Sequence, residues 1–161
     1  MTEPTCATAD QPQPAAGEAV SYLQLAALPS AAFWARRYAE AALRAWCLRE
    51  EDIETAQLLV SELVTNAIKF TGSALAHVVY SGLAEARPIS LILRHRSDTL
   101  IIEVCDSDPT PPILTEVSSE AESGRGLMLV RALSKEWNYY LPPSGGKTVY
   151  CVISARSFDN G

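Results

Sequence analysis

Ser61-Glu-Leu-Val-Thr-Asn-Ala-Ile-Lys-Phe-Thr-Gly72 reads as the last turns of an amphipathic helix. Glu62, Asn66 and Lys69 fall at helical spacing on one face, while Leu63, Val64 and Ala67 continue an apolar series from Ile53, Ala56 and Val60 on the other. The helix therefore has a face to pack and a face to react. A carboxylate, an amide and an ammonium within two turns suit a metal–phosphate group, because they supply a proton acceptor, a neutral oxygen for Mg²⁺ and a point charge for phosphate. Most charged helix faces are simply solvated, and that alternative stands for this stretch taken alone.

Working outward, the 161 residues suffice for one domain with a core and are too few for two. A formal charge of −6 gives no general attraction to nucleic acid or to an anionic membrane, so neither is an expected partner. No apolar run reaches the roughly 18 residues of a membrane span, and the amino terminus lacks a basic segment followed by an apolar one. A cytoplasmic protein is expected. Cys6, Cys47, Cys105 and Cys151 are widely spaced, without a C-x-x-C pair or a nearby His, and read as reduced thiols. His77 and His95 fall in separate strand-like runs with no carboxylate beside them, which gives little ground for a metal or catalytic role.

Residues 1–19 hold three prolines and no periodicity, the composition of a disordered tail. The domain is expected over 20–156, with a short tail at 157–161. Val20 to Leu28 predicts a strand, and Ser30 a cap for a helix over 31–46 in which Phe33, Ala35, Tyr38, Ala42, Leu43 and Trp46 face a core. Asp52 is the expected N-cap of the second helix, which ends at Thr71-Gly72. Ala74 to Tyr80 predicts a strand. Ile89–His95 and Thr99–Cys105 flank Arg96-Ser97-Asp98 at the spacing of an antiparallel hairpin. A long polar loop over 110–123 leads to Gly124-Arg-Gly126 and a third helix from Leu127 to about Glu136, with Leu127, Val130 and Leu133 inward. Strands at Trp137–Leu141 and Lys147–Ala155 complete a two-layer α/β sandwich, a mixed, largely antiparallel sheet with three helices on one face.

Two glycine clusters invite a phosphate reading. Gly145-Gly-Lys-Thr148 fails as a P-loop, since its first glycine would fall on Leu141 and a strand follows where a helix is needed. Gly124-Arg-Gly126 fails as a dinucleotide fingerprint, which would need glycine at Leu129. What remains is a Gly-x-Gly at a helix start, where unpaired N–H groups can face an anion; a glycine turn that merely begins a helix is the alternative. Asp106 leaves an apolar strand, where a carboxylate needs a donor. An exocyclic amine or a backbone cap would serve.

Taken in order, Glu62-x-x-x-Asn66-x-x-Lys69 on a helix, a strand ending in Asp106, a polar loop closing with Gly124-Arg-Gly126 and Gly145-Gly-Lys-Thr148 entering a strand resemble the GHKL, or Bergerat-fold, ATP-binding superfamily. The resemblance spans about residues 50–153 and implies roles. Asn66 would hold Mg²⁺, Glu62 would be the catalytic base, and Lys69 would approach the phosphates of ATP. Asp106 would accept from the adenine amino group, with Thr148 assisting nearby. Gly124, Arg125 and Gly126 would cover the phosphates. One departure stands out: where the family has Asp-x-Gly-x-Gly, this chain has Asp106-Ser-Asp-Pro-Thr110.

Glu62 in place of the asparagine usual in histidine kinases, both His residues in predicted strands, and no room for a further domain make the chain resemble the anti-sigma factor serine/threonine kinases. That resemblance implies transfer of the ATP γ-phosphate to a serine or threonine of an antagonist protein. It also implies a sigma factor as second partner, and admits a homodimer. A binding module gated by nucleotide, without chemistry, is the competing class, and the altered box after Asp106 favours it.

Overall fold

The computed structural model describes residues 11–72, 87–112 and 125–158. The strand expected over Ala74–Tyr80, His77, most of the 110–123 loop and Gly124 lie outside them.

Alternation fixes the sheet. In β2 (Pro88–Arg96) Ile89, Leu91, Leu93 and His95 are buried, and in β3 (Thr99–Asp106) Leu100, Ile102, Val104 and Asp106 are. One face of the pair is therefore core, as a period of two requires. The two strands join through Ser97-Asp98, with Arg96 opposite Thr99 and Ser97 at φ 54°. β1 (Ala19–Ala26) pairs with β2, and β5 (Lys147–Ser154) lies between β3 and β4 (Glu136–Tyr140). The order is β1-β2-β3-β5-β4, with every pairing antiparallel.

Among the described residues three helices pack on this sheet: α1 (Ala31–Ala45), α2 (Glu50–Gly72) and α3 (Arg125–Leu133). On α2 the residues Ile53, Ala56, Val60, Leu63, Val64 and Ala67 are all buried, the face read from the sequence. Each large aliphatic among them contributes about 1.5–3 kcal/mol by leaving water. α2 packs on β3 and against both other helices, so it links the two layers. Arg36 on α1 donates to Ser61 Oγ on α2 at 2.8 Å and fixes their relative rotation.

Several local expectations are corrected. Asp52 is not the N-cap of α2, which starts two residues earlier: the Ile53 N–H already donates to Arg49 O at 3.0 Å, and the Asp52 carboxylate accepts from the Arg156 N–H at 2.8 Å. Ser30 holds the N-cap position of α1 but makes no side-chain cap bond. The buried stripe of α1 is Ala31, Ala35, Ala39 and Leu43, whereas Phe33 is exposed, edge-on to the exposed Trp34. Small residues let α1 approach its neighbours closely, while Tyr38 and Trp46 are partly buried and pack against the core as expected. α3 starts at Arg125 and ends at Leu133, which is exposed rather than inward. Ser157 bridges to Leu48, and the Phe158 N–H donates to Cys47 O. At the other end β1 begins at Ala19.

Candidate functional site

The polar face of α2 meets the first turn of α3. Glu62 and Asn66 are half-buried and Lys69 is exposed, one turn apart along the same stripe. Gly126 lies so close to Glu62 that a Cβ added to it would overlap Oε2 of the carboxylate. Absence of a side chain at Gly126 is thus what admits Glu62 to the helix start, where the positive end of the dipole favours a negative group. The Nδ2 of Asn66 is buried and has no hydrogen-bond partner among the described residues, and the same is true of Oδ2 of Asp106. An unpaired buried amide is disfavoured by about 1–3 kcal/mol, which is reason to expect a ligand there. Turned about its last torsion, the same side chain directs Oδ1 to that place, and a neutral oxygen is a suitable Mg²⁺ ligand. The residues present therefore fit a metal-bound phosphate. Among the described residues no cluster of three or more His, Cys, Asp or Glu is placed to hold a metal.

The second group of residues lies where β3 ends beside the start of β5. Asp106 is opposite Lys147 in the register, and the two side chains, both buried, form an ion pair. Lys147 Nζ stands 3.0 Å from Oδ2 and 3.1 Å from Oδ1, and donates as well to the carbonyl oxygen of Asp108 at 3.1 Å. Oδ1 also accepts from the Asp108 N–H at 2.9 Å, and Asp108 Oδ1 accepts from the Thr110 N–H at 2.8 Å, two successive Asx turns. Burial pushes the Asp106 carboxyl above the usual range, against the pull of Lys147 and of the Asp108 amide. Asp108 is held below it by its bonds to Thr110. Breaking a buried pair of this kind by removing one partner costs about 3–5 kcal/mol.

Lys147 is a residue that the sequence reading does not single out. Successive strand residues face opposite ways. With Lys147 on the face of Asp106, Thr148 is on the other, where its hydroxyl donates to Cys105 Sγ at 3.2 Å. Alternation counted from the buried Val149, Cys151 and Ile153 was the signal that could have found the lysine. The structure thus brings Glu62 to Gly126, with Asn66 a turn along, and separately brings Asp106 to Lys147. The side chain of Arg125 and all of Gly124 lie outside the described residues.

The sequence profile of the family described as histidine kinase-like ATPase domain matches residues 25–153. No curated protein matches the chain. Among solved structures, the fold is similar to the crystal structure of the RsbU and RsbW domains of Rv1364c from Mycobacterium tuberculosis, with a TM-score of 0.55 and 16% identity. That match covers 86% of this chain and 34% of the other, so the chain spans about a third of its relative's length. With four-fifths of its length matched by one profile and the same open sheet under three helices, the chain belongs to the family of histidine kinase-like ATPase domains.

Proposed function

We propose that the chain is an ATP-dependent protein serine/threonine kinase of the anti-sigma type, acting on a small antagonist protein and binding a sigma factor. The observation that carries this reading is the Glu62 carboxylate seated against Gly126 at the start of α3, with the orphaned amide of Asn66 one turn away. Asn66 would hold Mg²⁺, which supplies charge neutralisation to the phosphates when bound. Lys69, exposed at the end of the same stripe, adds a point charge toward the γ-phosphate, and Gly124, Arg125 and Gly126 would close over it. Glu62 takes the proton of the incoming hydroxyl as its oxygen attacks the γ-phosphorus, and the ADP oxygen leaves in line. Asp106 belongs to the base end of the site and can act there only as far as Lys147 releases it.

A nucleotide-gated binding module that regulates transcription without phosphotransfer is the second reading. The internal pairing of Asp106 and the missing glycines after it favour that one. No helix among the described residues is long and apolar enough to cross a membrane, which accords with a cytoplasmic partner. The net charge of −6 accords with a protein rather than a nucleic acid as that partner.

The two readings separate on incubation with γ-labelled ATP, Mg²⁺ and a candidate antagonist. Wild type is expected to label a serine or threonine of the antagonist, and Glu62→Ala to lower the rate by about 10²–10⁴-fold with ATP affinity little changed. Nucleotide binding without labelling would leave the gated module. Equal labelling by Glu62→Ala would remove Glu62 as the base.

A further inference from the structure

The phosphate chemistry proposed above uses α2 and the start of α3 and makes no use of α1. On α1 the side opposite the buried Ala31, Ala35 and Ala39 carries Phe33, Trp34 and Arg37, which helical spacing gathers within about 100° of arc. Phe33 is 47% and Trp34 57% exposed, and the two rings meet edge-on with centroids 5.2 Å apart. Such rings bury roughly 150–250 Å² each when covered, so an adjacent exposed pair is a surface that a monomeric protein seldom leaves open. Arg37, one turn along, is exposed and has no ion-pair partner among the described residues. The acid nearest to it on the helix, Glu40, is held by Arg44 and Gln57. The first turn of α1 contains no acid and Ser30 makes no side-chain cap bond, so the positive end of the helix dipole adds to the charge of Arg37. An aromatic and basic face thus stands on a chain whose net charge is −6.

We infer that this face of α1 is the docking surface for an acidic amphipathic helix of a partner protein. The partner's apolar stripe covers Phe33 and Trp34, and a carboxylate one turn along it pairs with Arg37. Tryptophan and arginine concentrate binding energy at protein contacts, and a helix laid on an apolar face is read through residues three and four apart, the spacing of Arg37 from Trp34 and Phe33. Charge selects the partner, since a basic helix brought to this face is repelled. A second copy of the chain docked face to face would set two basic surfaces together, which excludes it on the same ground. The surface lies on a different helix from Glu62, Asn66 and Lys69, so the inference goes beyond the proposed function and needs no nucleotide.

Calorimetric titration of the full chain, without nucleotide, with synthetic helical peptides of about five turns tests it. The first peptide has a leucine stripe flanked by glutamates, the second has lysines in place of the glutamates, and the third has alanines in place of the leucines. Wild type is expected to bind the first at least about tenfold more tightly than either of the others, and less tightly as salt rises. Phe33→Ser and Trp34→Ser should each weaken that binding by about tenfold or more, and Arg37→Glu should turn the preference to the lysine peptide. All three positions are exposed, so the variants should unfold at the temperature of wild type; if one does not fold, the wild-type comparison of peptides decides alone. No binding of the glutamate peptide by wild type at about 1 mM, equal affinity for the glutamate and lysine peptides, or binding that Trp34→Ser leaves unchanged overturns the assignment. So does a wild-type dimer in sedimentation that Trp34→Ser dissociates, or adhesion to phosphatidylserine vesicles that Trp34→Ser abolishes, since each gives the face to another occupant. None of these readouts uses nucleotide, so the inference and the kinase reading fail separately.

Discussion

Gly126 shows how much rests on a missing methyl group. Its Cα faces the Glu62 carboxylate so closely that alanine could be accommodated only by moving Oε2 away. The far end of a glutamate moves cheaply, and alanine is the better helix former by up to about 1 kcal/mol. Gly126→Ala is therefore expected to unfold at the same temperature as wild type or slightly above it. Displacing a catalytic group by an ångström costs on the order of 10²-fold in rate, so under the kinase function proposed above, with Glu62 as base, phosphotransfer to an antagonist should fall by about that factor. Thermal unfolding and labelled-phosphate transfer on one preparation check both halves. A rate within threefold of wild type would show that the base does not need its place beside α3. The three polar residues of α2 were legible because helical spacing alone sets which side chains share a face. Lys147 was not, since what makes it matter is a partner 41 positions away that only strand register brings near.

The elements divide along the same line. α2 and the β2–β3 hairpin were readable because their apolar positions repeat at steps of three and four or of two over many residues, and their buried positions match that pattern. α1 differs in part: Phe33 looks like a core residue by type, yet the helix buries its alanines and Leu43. In β5 the residue opposite Asp106 is Lys147, one place before Thr148, and a shift of one in a strand exchanges the two faces. The turn before β5 offers a sharp contrast within one element. Gly145 and Gly146 both have positive φ, at 94° and 73°, but nothing stands near the Cα of Gly145, whereas that of Gly146 faces the Asp106 backbone. Gly145→Ala should cost only backbone strain, about 1–2 kcal/mol. Gly146→Ala adds an overlap with backbone that cannot rotate away, and should cost at least about 3 kcal/mol while parting Asp106 from Lys147. Urea unfolding of the two variants side by side measures the difference. Equal losses would mean that β5 does not depend on its close approach to β3.

At the scale of the whole molecule, one antiparallel sheet with its core face under three helices makes thiols on the central strands part of the global equilibrium. Cys151, fully buried on β5, has its thiol pushed by burial from 9.0 up to about 12. Cys105 on β3 is raised as well, chiefly by burial, with Thr148 pulling the other way. The raised value means that between these limits the folded chain keeps a proton that the unfolded chain has lost. Stability is then complete below the unfolded thiol value and declines as pH climbs toward 12. One proton corresponds to at most about 1.4 kcal/mol per pH unit. Tyr140 is raised chiefly by burial and Tyr150 chiefly by its bond to Glu136, and both act in the same direction at higher pH. Urea midpoints should therefore fall between pH 7.5 and 10.5, and Cys151→Ala, less stable at both, should fall less steeply. An identical slope in the two proteins would place the alkaline loss on other groups and would mean that water reaches the sheet interior at Cys151.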